Sequence, residues 1–295
     1  MNSSMVSISD LPDSASLPRW LNEALTFPQT DGGSVYVNDR NRAFQWYFQK
    51  QLPVYDYRTE PELNIIRTYA TQADEQCIWY EAWALFHQAL MGCVVQEKPP
   101  DAAGMLWKLG RSQIGLEQYQ AAELYLQAAL KIFSIHPDKS GQLRCMMDHA
   151  VLTALTKDSS ALDLEIKELV EFLAHSDAPY SLKDVALALF REGMKNDKWE
   201  IDGKPVPSCQ RHAAGLYMVS LRLNRKVENR QAIACMLVNL GNIWVGLKEL
   251  DKAEETWNEL QPYLSEVAGD KNAQRLKQGV QKLQPKWWQS KNKTR

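Results

Sequence analysis

The chain has 295 residues, of which 45% are hydrophobic and 24% charged, and its formal net charge is -2. A chain of this length can bury a sizeable core, and 14 glycines with 13 prolines are too few for a disordered or linker-dominated protein. A net charge so close to zero excludes a global field that would steer the protein towards nucleic acid or membrane, so any such contact has to be local.

The cysteine spacing and the N-terminal sequence indicate the cellular compartment of the protein. The five cysteines are odd in number and form no Cys-x-x-Cys pair, which argues against a disulfide framework and against a zinc site. Residues 1–16 lack the basic start and apolar core of a secretory signal. The most apolar run, residues 77–95, carries Glu81, and a charge in a membrane span is costly enough to favour a buried helix. We expect a cytoplasmic protein with no metal and no cofactor.

The first third of the chain predicts helices without a visible repeat. The segments with helical apolar periodicity are 17–26, 39–51, 61–71 and 74–95. A stretch rich in turn residues, 27–38, separates the first two. We therefore predict an extension over residues 1–37, with a short helix and a glycine-containing loop, and a helical region over residues 38–99.

Two segments further along the chain match each other. They are Leu109–Leu130 and Leu240–Leu260. The residues that coincide are Leu109, Gly110, Gly115, Tyr119, Ala122 and Leu126 in the first copy, and Leu240, Gly241, Gly246, Leu250, Ala253 and Trp257 in the second. A glycine lets two helices cross closely, and an alanine fits where they touch. The pattern predicts a helix-turn-helix hairpin that must stack on its neighbours to bury its apolar face.

These positions resemble the Leu-Gly, aromatic and alanine positions of the tetratricopeptide-repeat (TPR) family, and Pro137 resembles the proline that ends its repeats. The resemblance covers roughly a quarter of the chain, as two copies of about 34 residues each. It implies an all-α fold, an α-solenoid of TPR-like helical hairpins preceded by an additional N-terminal helical region.

The sequence between and after the two copies stays helical in pattern. The additional periodic segments are 141–156, 160–174, 181–194 and 209–223. They pair into two more hairpins, so we predict a repeat array over residues 100–270. The spacing of the copies needs an insertion, which we place at about 196–208, where Gly203 and two prolines predict a turn or a short β-hairpin. The basic segment 271–295 follows as a capping helix and tail.

The resemblance also implies a partner-binding groove, because the first helix of each TPR hairpin forms the inner wall. The residues that would face the groove are Trp107, Arg111, Ile114, Val238, Asn239, Asn242 and Val245. Asn242 matches an asparagine that chaperone-binding members use to hold a terminal carboxylate. Val238 stands where those members have a lysine, and Arg111 replaces the asparagine in the first copy, so a groove without that clamp is favoured.

No nucleotide-binding, hydrolase or metalloprotease motif occurs in the sequence, which favours a non-catalytic adaptor or scaffold that binds a protein or peptide. Two alternatives stay open. Contact with nucleic acid or an anionic surface would use the basic tail, whose residues are Lys286, Trp287, Trp288, Lys291 and Lys293. A ligand-sensing regulator would close its repeats around a peptide or metabolite.

Overall fold

The computed structural model describes residues 17–27, 30–53, 55–175, 180–201 and 203–283. These residues form thirteen α-helices, one 3₁₀ helix and two small antiparallel β-hairpins, so the predicted all-α fold is confirmed. Two compact units divide the chain. The first extends to Leu152, and the second contains residues 153–175 and the described part of the chain after Pro179.

The first unit begins with a short helix and a β-hairpin. Its elements are α1 (Arg19–Leu25), β1 (Thr26–Phe27), β2 (Thr30–Asp31), α2 (Gly32–Gln49), α3 (Glu60–Glu75), α4 (Trp79–Val95), α5 (Pro99–Gly115), α6 (Tyr119–Ile135) and α7 (Lys139–Thr156), the last turn of which belongs to the second unit. Consecutive helices α3, α4, α5 and α6 pack against one another. This serial packing is the arrangement of an α-solenoid.

The second unit repeats that serial packing. Its elements are α8 (Ser159–His175), α9 (Leu182–Asp197), β3 (Glu200–Ile201), β4 (Lys204–Pro205), α10 (Pro207–Lys226), α11 (Arg230–Leu247), α12 (Leu250–Leu260), a 3₁₀ helix (Gln261–Val267) and α13 (Lys271–Leu283). Helices α9, α10, α11 and α12 pack in chain order. The hairpin of β3 and β4 lies within the predicted insertion and pairs Glu200 with Pro205.

The predicted loop over residues 27–38 is wrong in its second half, because α2 already begins at Gly32. Asp31 caps the helix by accepting a hydrogen bond from the backbone nitrogen of Ser34 at 3.2 Å. Only glycine fits after it, since a Cβ on Gly32 would lie 2.0 Å from the carbonyl oxygen of Leu25. The predicted boundary at residue 37 therefore falls inside a helix.

The helices recur at a regular spacing that the resemblance did not imply. Helices α4 to α8 begin at residues 79, 99, 119, 139 and 159, twenty residues apart. The turns before α4, α5 and α6 each hold one non-glycine residue at positive φ, namely Cys77 at 52°, Glu97 at 52° and Glu117 at 59°. This left-handed residue ends one helix and turns the chain into the next. A hairpin therefore occupies forty residues, longer than the TPR unit of about 34.

The first copy packs as the sequence predicted. A Cβ on Gly110 would lie 2.7 Å from the Leu126 side chain of α6, and one on Gly115 would lie 2.3 Å from the Trp79 ring of α4. Ala122 is fully buried where α5 and α6 touch. The two glycines thus allow α5 to approach both neighbouring helices closely.

The apolar run 77–95 forms α4, which is buried along most of its length, as predicted. None of the described helices is both long enough and apolar enough to cross a bilayer.

A buried carboxylate holds four helices of the first unit together. Oδ2 of Asp39 on α2 accepts four hydrogen bonds, from Trp83 Nε1 at 3.0 Å, His87 Nε2 at 3.0 Å, Gln113 Nε2 at 2.7 Å and Tyr125 Oη at 2.6 Å. The donors belong to α4, α5 and α6. We call these five residues the Asp39 hub.

Protonation of the hub follows from its burial. Burial raises the pKa of Asp39, but the hydrogen bonds from His87, Tyr125 and Trp83 outweigh that effect and hold the pKa below its usual value. Burial lowers the pKa of His87, so a neutral imidazole donates the Nε2 proton to an ionised carboxylate. The hub is closed to solvent, and we assign it a structural role.

Candidate functional site

One face of α5 carries a compact cluster of charged side chains around Trp107. Trp107 Nε1 donates to Asp148 Oδ2 of α7 at 2.6 Å, and Lys108 Nζ donates to Asp74 Oδ2 of α3 at 2.8 Å. Arg111, one turn further along α5, places its Nε 3.6 Å from Asp74 Oδ1. Helices α3, α5 and α7 are thereby joined through side chains. With Arg144 of α7 these residues form what we call the tryptophan cluster.

The acids of the tryptophan cluster are more deeply buried than its aromatic ring and its outer cation. Asp74 and Asp148 are only 2% and 5% exposed. Lys108 Nζ and Arg144 Cζ lie 4.8 Å and 5.2 Å from the centre of the Trp107 ring, and Arg144 is exposed. The acids therefore lie beneath, while the partly exposed indole and the exposed Arg144 form the outer surface, with Lys108 and Arg111 between them. Such an arrangement suits contact with a carboxylate carried by another molecule.

Burial changes the pKa of Asp148. It raises the pKa of Asp148 to about 6, although Arg111 and the hydrogen bond from Trp107 act in the opposite direction. Asp148 is therefore ionised at neutral pH and takes up a proton in mildly acidic solution. Protonation removes one negative charge from beneath the cations.

Asp148→Asn is expected to remove a pH dependence of stability. The folded-state pKa of about 6 lies above the ordinary value of 3.8, so the folded protein binds more protons than the unfolded chain between these values. Lowering the pH from about 7 to about 5 should raise the free energy of unfolding of the parent protein by about 1 kcal/mol relative to the variant. Urea unfolding of both proteins at both pH values measures this. An unchanged difference between them would contradict the assignment.

The structure places the groove residues of the first copy as follows. Trp107 and Arg111 both belong to the tryptophan cluster, where they contact Asp148 and Asp74; their place on a partner groove stays a prediction. Ile114 is 1% exposed, so its predicted place on the groove surface is wrong. It lies one turn beyond the cluster, on the side of α5 that faces the core.

The second copy does not present the predicted open surface, because α13 packs against α11. Asn242 Nδ2 donates to the backbone oxygens of Val238 at 2.9 Å and Asn272 of α13 at 3.1 Å, so the fold itself uses this amide. Val245 packs on Gly279 of α13.

Two further groove residues of α11 are also explained by packing. Val238 is buried, and Asn239 lies near the hydroxyl of buried Tyr217. The prediction of a groove on α11 is therefore wrong. The predicted tail residues Lys286, Trp287, Trp288, Lys291 and Lys293 lie outside the described residues.

The second unit contains a cleft of about 500 Å³ that the sequence did not indicate. Its apolar lining comes from Leu155, Leu162, Met218, Leu221, Leu240 and Trp244. Its charged lining comes from Lys157, Asp158, Arg222, Arg225, Lys252, Glu255 and Glu259. We call this the α10 cleft, since α10 contributes both arginines. Its volume falls in the range of small-molecule sites.

Ion pairs organise the charged lining of the α10 cleft. Arg222 Nε lies 3.5 Å from Asp163 Oδ1, and Arg225 pairs with Glu259. Lys252 Nζ lies 4.5 Å from the centre of the Trp244 ring, which forms part of the apolar lining. The cleft thus joins an apolar interior to a charged rim.

Comparison with known proteins identifies no family. No family model matches the chain, and no curated protein matches it. Among solved structures, the chain is similar in fold to the crystal structure of a Rap protein complexed with competence and sporulation factor. That chain is 15% identical, the match covers 83% of this chain and 68% of the other, and the TM-score is 0.40.

Sequence reasoning found part of the tryptophan cluster and missed the α10 cleft. The repeat pattern identified Trp107 and Arg111, but Asp74 and Asp148 lie in segments that match no repeat position. The cleft depends on residues of α8, α10 and α12 that are far apart in sequence. Leu240 was visible only as a packing position of the second copy, and no pattern linked it to Trp244, Arg222 or Arg225.

Proposed function

We propose that this chain is a non-catalytic protein of the TPR-like kind that binds an acidic segment of a partner protein at the tryptophan cluster. The observation that carries the proposal is the partly exposed Trp107 indole, held beside Lys108 and Arg144 above two buried aspartates. Aromatic and arginine side chains dominate the energetics of protein interfaces. A partner carboxylate would pair with the exposed Arg144 and lie near Lys108, which Asp74 already holds in position.

Gly104 supports this use of the α5 face. It lies three and four residues before Trp107 and Lys108, on the same side of the helix, and a Cβ there would have no atom within 4 Å. Glycine inside a helix costs about 1 kcal/mol relative to alanine, and no packing contact with the described part of the chain requires it here. The absent side chain allows a second backbone to approach α5 closely.

Partner capture with a charge-reversed surface tests the proposal. We expect Arg144→Glu to reduce recovery of a partner with an acidic segment by about tenfold, because it places a negative charge beside Trp107. Arg191→Glu makes the same charge change on an exposed residue of α9 in the second unit and serves as the control. The measurement is quantitative mass spectrometry of proteins that co-purify with the tagged full-length chain from its native cells. Equal recovery with both variants would exclude the tryptophan cluster as the contact.

Gly104→Ala gives an independent test, because it should raise stability and lower partner binding. The free energy of unfolding should rise by about 0.5–1 kcal/mol, because alanine favours the helix and meets no neighbouring atom. Recovery of the same partner should fall, since the methyl group occupies the space left for a second backbone. Thermal or urea unfolding and the capture experiment measure the two effects. A variant that is more stable and binds equally well would show that Gly104 has no role in recognition.

A further inference from the structure

We propose that the α10 cleft is a binding site for a small amphipathic anion, an alkyl or aryl carboxylate with its apolar body inside the cleft and its carboxylate on Arg222 and Arg225. This site is separate from the tryptophan cluster and rests on different residues. The proposal depends on three features of the second unit. These are the apolar side chains that line the cleft, the burial of Arg222 and Arg225, and the repulsion between these two arginines.

The cleft as a whole, with its apolar and its charged lining, has room for the body of such a ligand. Leu240 and Trp244 of α11 form part of the apolar lining, and Met218 and Leu221 of α10 add to it. A cleft of about 500 Å³ exceeds the space that close packing normally leaves between helices. An alkyl or aromatic group that entered it would bury apolar surface on both sides, which is favourable in proportion to that area.

The two arginines lie deeper than the acids that pair with them. The side chains of Arg222 and Arg225 are 26% and 28% exposed, whereas those of their partners Asp163 and Glu259 are 58% and 45% exposed. The two guanidinium side chains are therefore more shielded from solvent than the carboxylates that neutralise them. A ligand carboxylate that entered the cleft would reach guanidinium groups with their fork of donors.

The arginines also crowd each other, because they lie three residues apart on one face of α10. Burial and the neighbouring charge of Arg222 lower the pKa of Arg225, which means that this environment disfavours a second cation. An anion bound between the two side chains would relieve that repulsion. It would compete with Glu259 for Arg225 and with Asp163 for Arg222.

The rim acids restrict the class of ligand. Asp158 is engaged at the start of α8, where it accepts from the backbone nitrogen of Ala161 at 2.9 Å and from Ser160 Oγ at 2.7 Å. Glu255 and Glu259 lie on exposed positions of α12. These acids disfavour a ligand with several negative charges spread over its length. A single anionic head on an apolar body avoids them.

Fluorescence titration with anilinonaphthalene sulfonate tests the site, because this probe combines an aromatic body with one anionic group. We expect saturable binding of one probe per chain, displaced by decanoate and much less by decanol. Arg222→Met and Arg225→Met should each weaken probe binding by about tenfold. Lys226→Met removes a charge from an exposed neighbour on α10 that does not line the cleft, and it should leave binding unchanged.

A cavity-filling variant separates the cleft from non-specific probe binding. Met218→Trp should occupy the interior, abolish probe binding and leave the melting temperature unchanged or higher. Equal weakening by Arg225→Met and Lys226→Met, or equal displacement by decanol and decanoate, would overturn the proposed anion recognition. Probe binding that persists in a folded Met218→Trp variant would overturn the site itself. Neither result affects the tryptophan cluster, which is tested by partner capture.

Discussion

Asp39→Ala is expected to lower the free energy of unfolding by about 4 kcal/mol or more, the largest effect of any single substitution considered for the first unit. Four donors on α4, α5 and α6 share Oδ2, and the substitution removes this oxygen with the rest of the carboxylate. A buried donor left without an acceptor costs about 1–3 kcal/mol, and water has no direct access to the site. Typical proteins are stable by only about 5–15 kcal/mol, so the variant should be close to unfolding.

Tyr125→Phe provides the matched comparison, because it removes one donor and leaves the acceptor with three others. We expect a loss of about 1 kcal/mol, measured by urea unfolding beside the Asp39 variants. Asp39→Asn keeps an acceptor oxygen but adds an amide donor among four donors, and its loss should fall between the other two. An Asp39→Ala loss no larger than that of Tyr125→Phe would show that the hub does not hold the helices together.

Leu276→Ala is expected to lower the free energy of unfolding by about 3 kcal/mol, the largest effect in the second unit. Leu276 is fully buried against α11, and its Cδ2 lies 2.6 Å from the position that a Cβ on Gly241 would take. A second contact has the opposite arrangement, since Gly279 of α13 leaves space for the Val245 side chain of α11. Truncation of a side chain in such a fitted contact loses both transfer free energy and packing around the cavity.

Lys277→Ala is the control for the helix itself, since Lys277 is the exposed neighbour of Leu276 on α13. Its effect should stay within about 0.5 kcal/mol. Unfolding by urea, followed by circular dichroism, compares the two variants. Equal stability would show that α13 does not dock on α11, and the face predicted from the second repeat copy would then be open after all.

The helices could be predicted because their signals are local. Apolar periodicity located α3, α4 and α7 to α10 to within about five residues, while the two repeat copies located the turns between α5 and α6 and between α11 and α12. The glycine and alanine positions of the first copy pack as their small size required. The length of the repeat could not be predicted from the sequence. Three-residue turns with a left-handed residue at Cys77, Glu97 or Glu117 lack the glycine that usually marks such a position, so the twenty-residue spacing carried no visible signature.

The candidate sites were only partly predictable. Trp107 and Arg111 were found because a repeat pattern assigns them to the first-helix face. Asn242 was misassigned for the same reason: the repeat pattern does not encode that α13 returns to cover α11 and accepts a hydrogen bond from this side chain. The α10 cleft had no signal at all, because it is a space between helices rather than a run of residues.

The sequence by itself determined that this protein is all-helical, that its helices pair through small residues, and that Trp107 and Arg111 lie one turn apart on the same helix. These properties depend on spacing along a single helix or between adjacent helices. The tertiary structure alone decided that Asp39 joins four helices, that Asp148 lies buried beneath Trp107, that the predicted capping helix α13 covers the groove face of α11 and that Arg222 and Arg225 line a cleft. Each of these requires residues far apart in sequence to meet, and long-range packing is set by the fit of whole helix surfaces rather than by any local pattern.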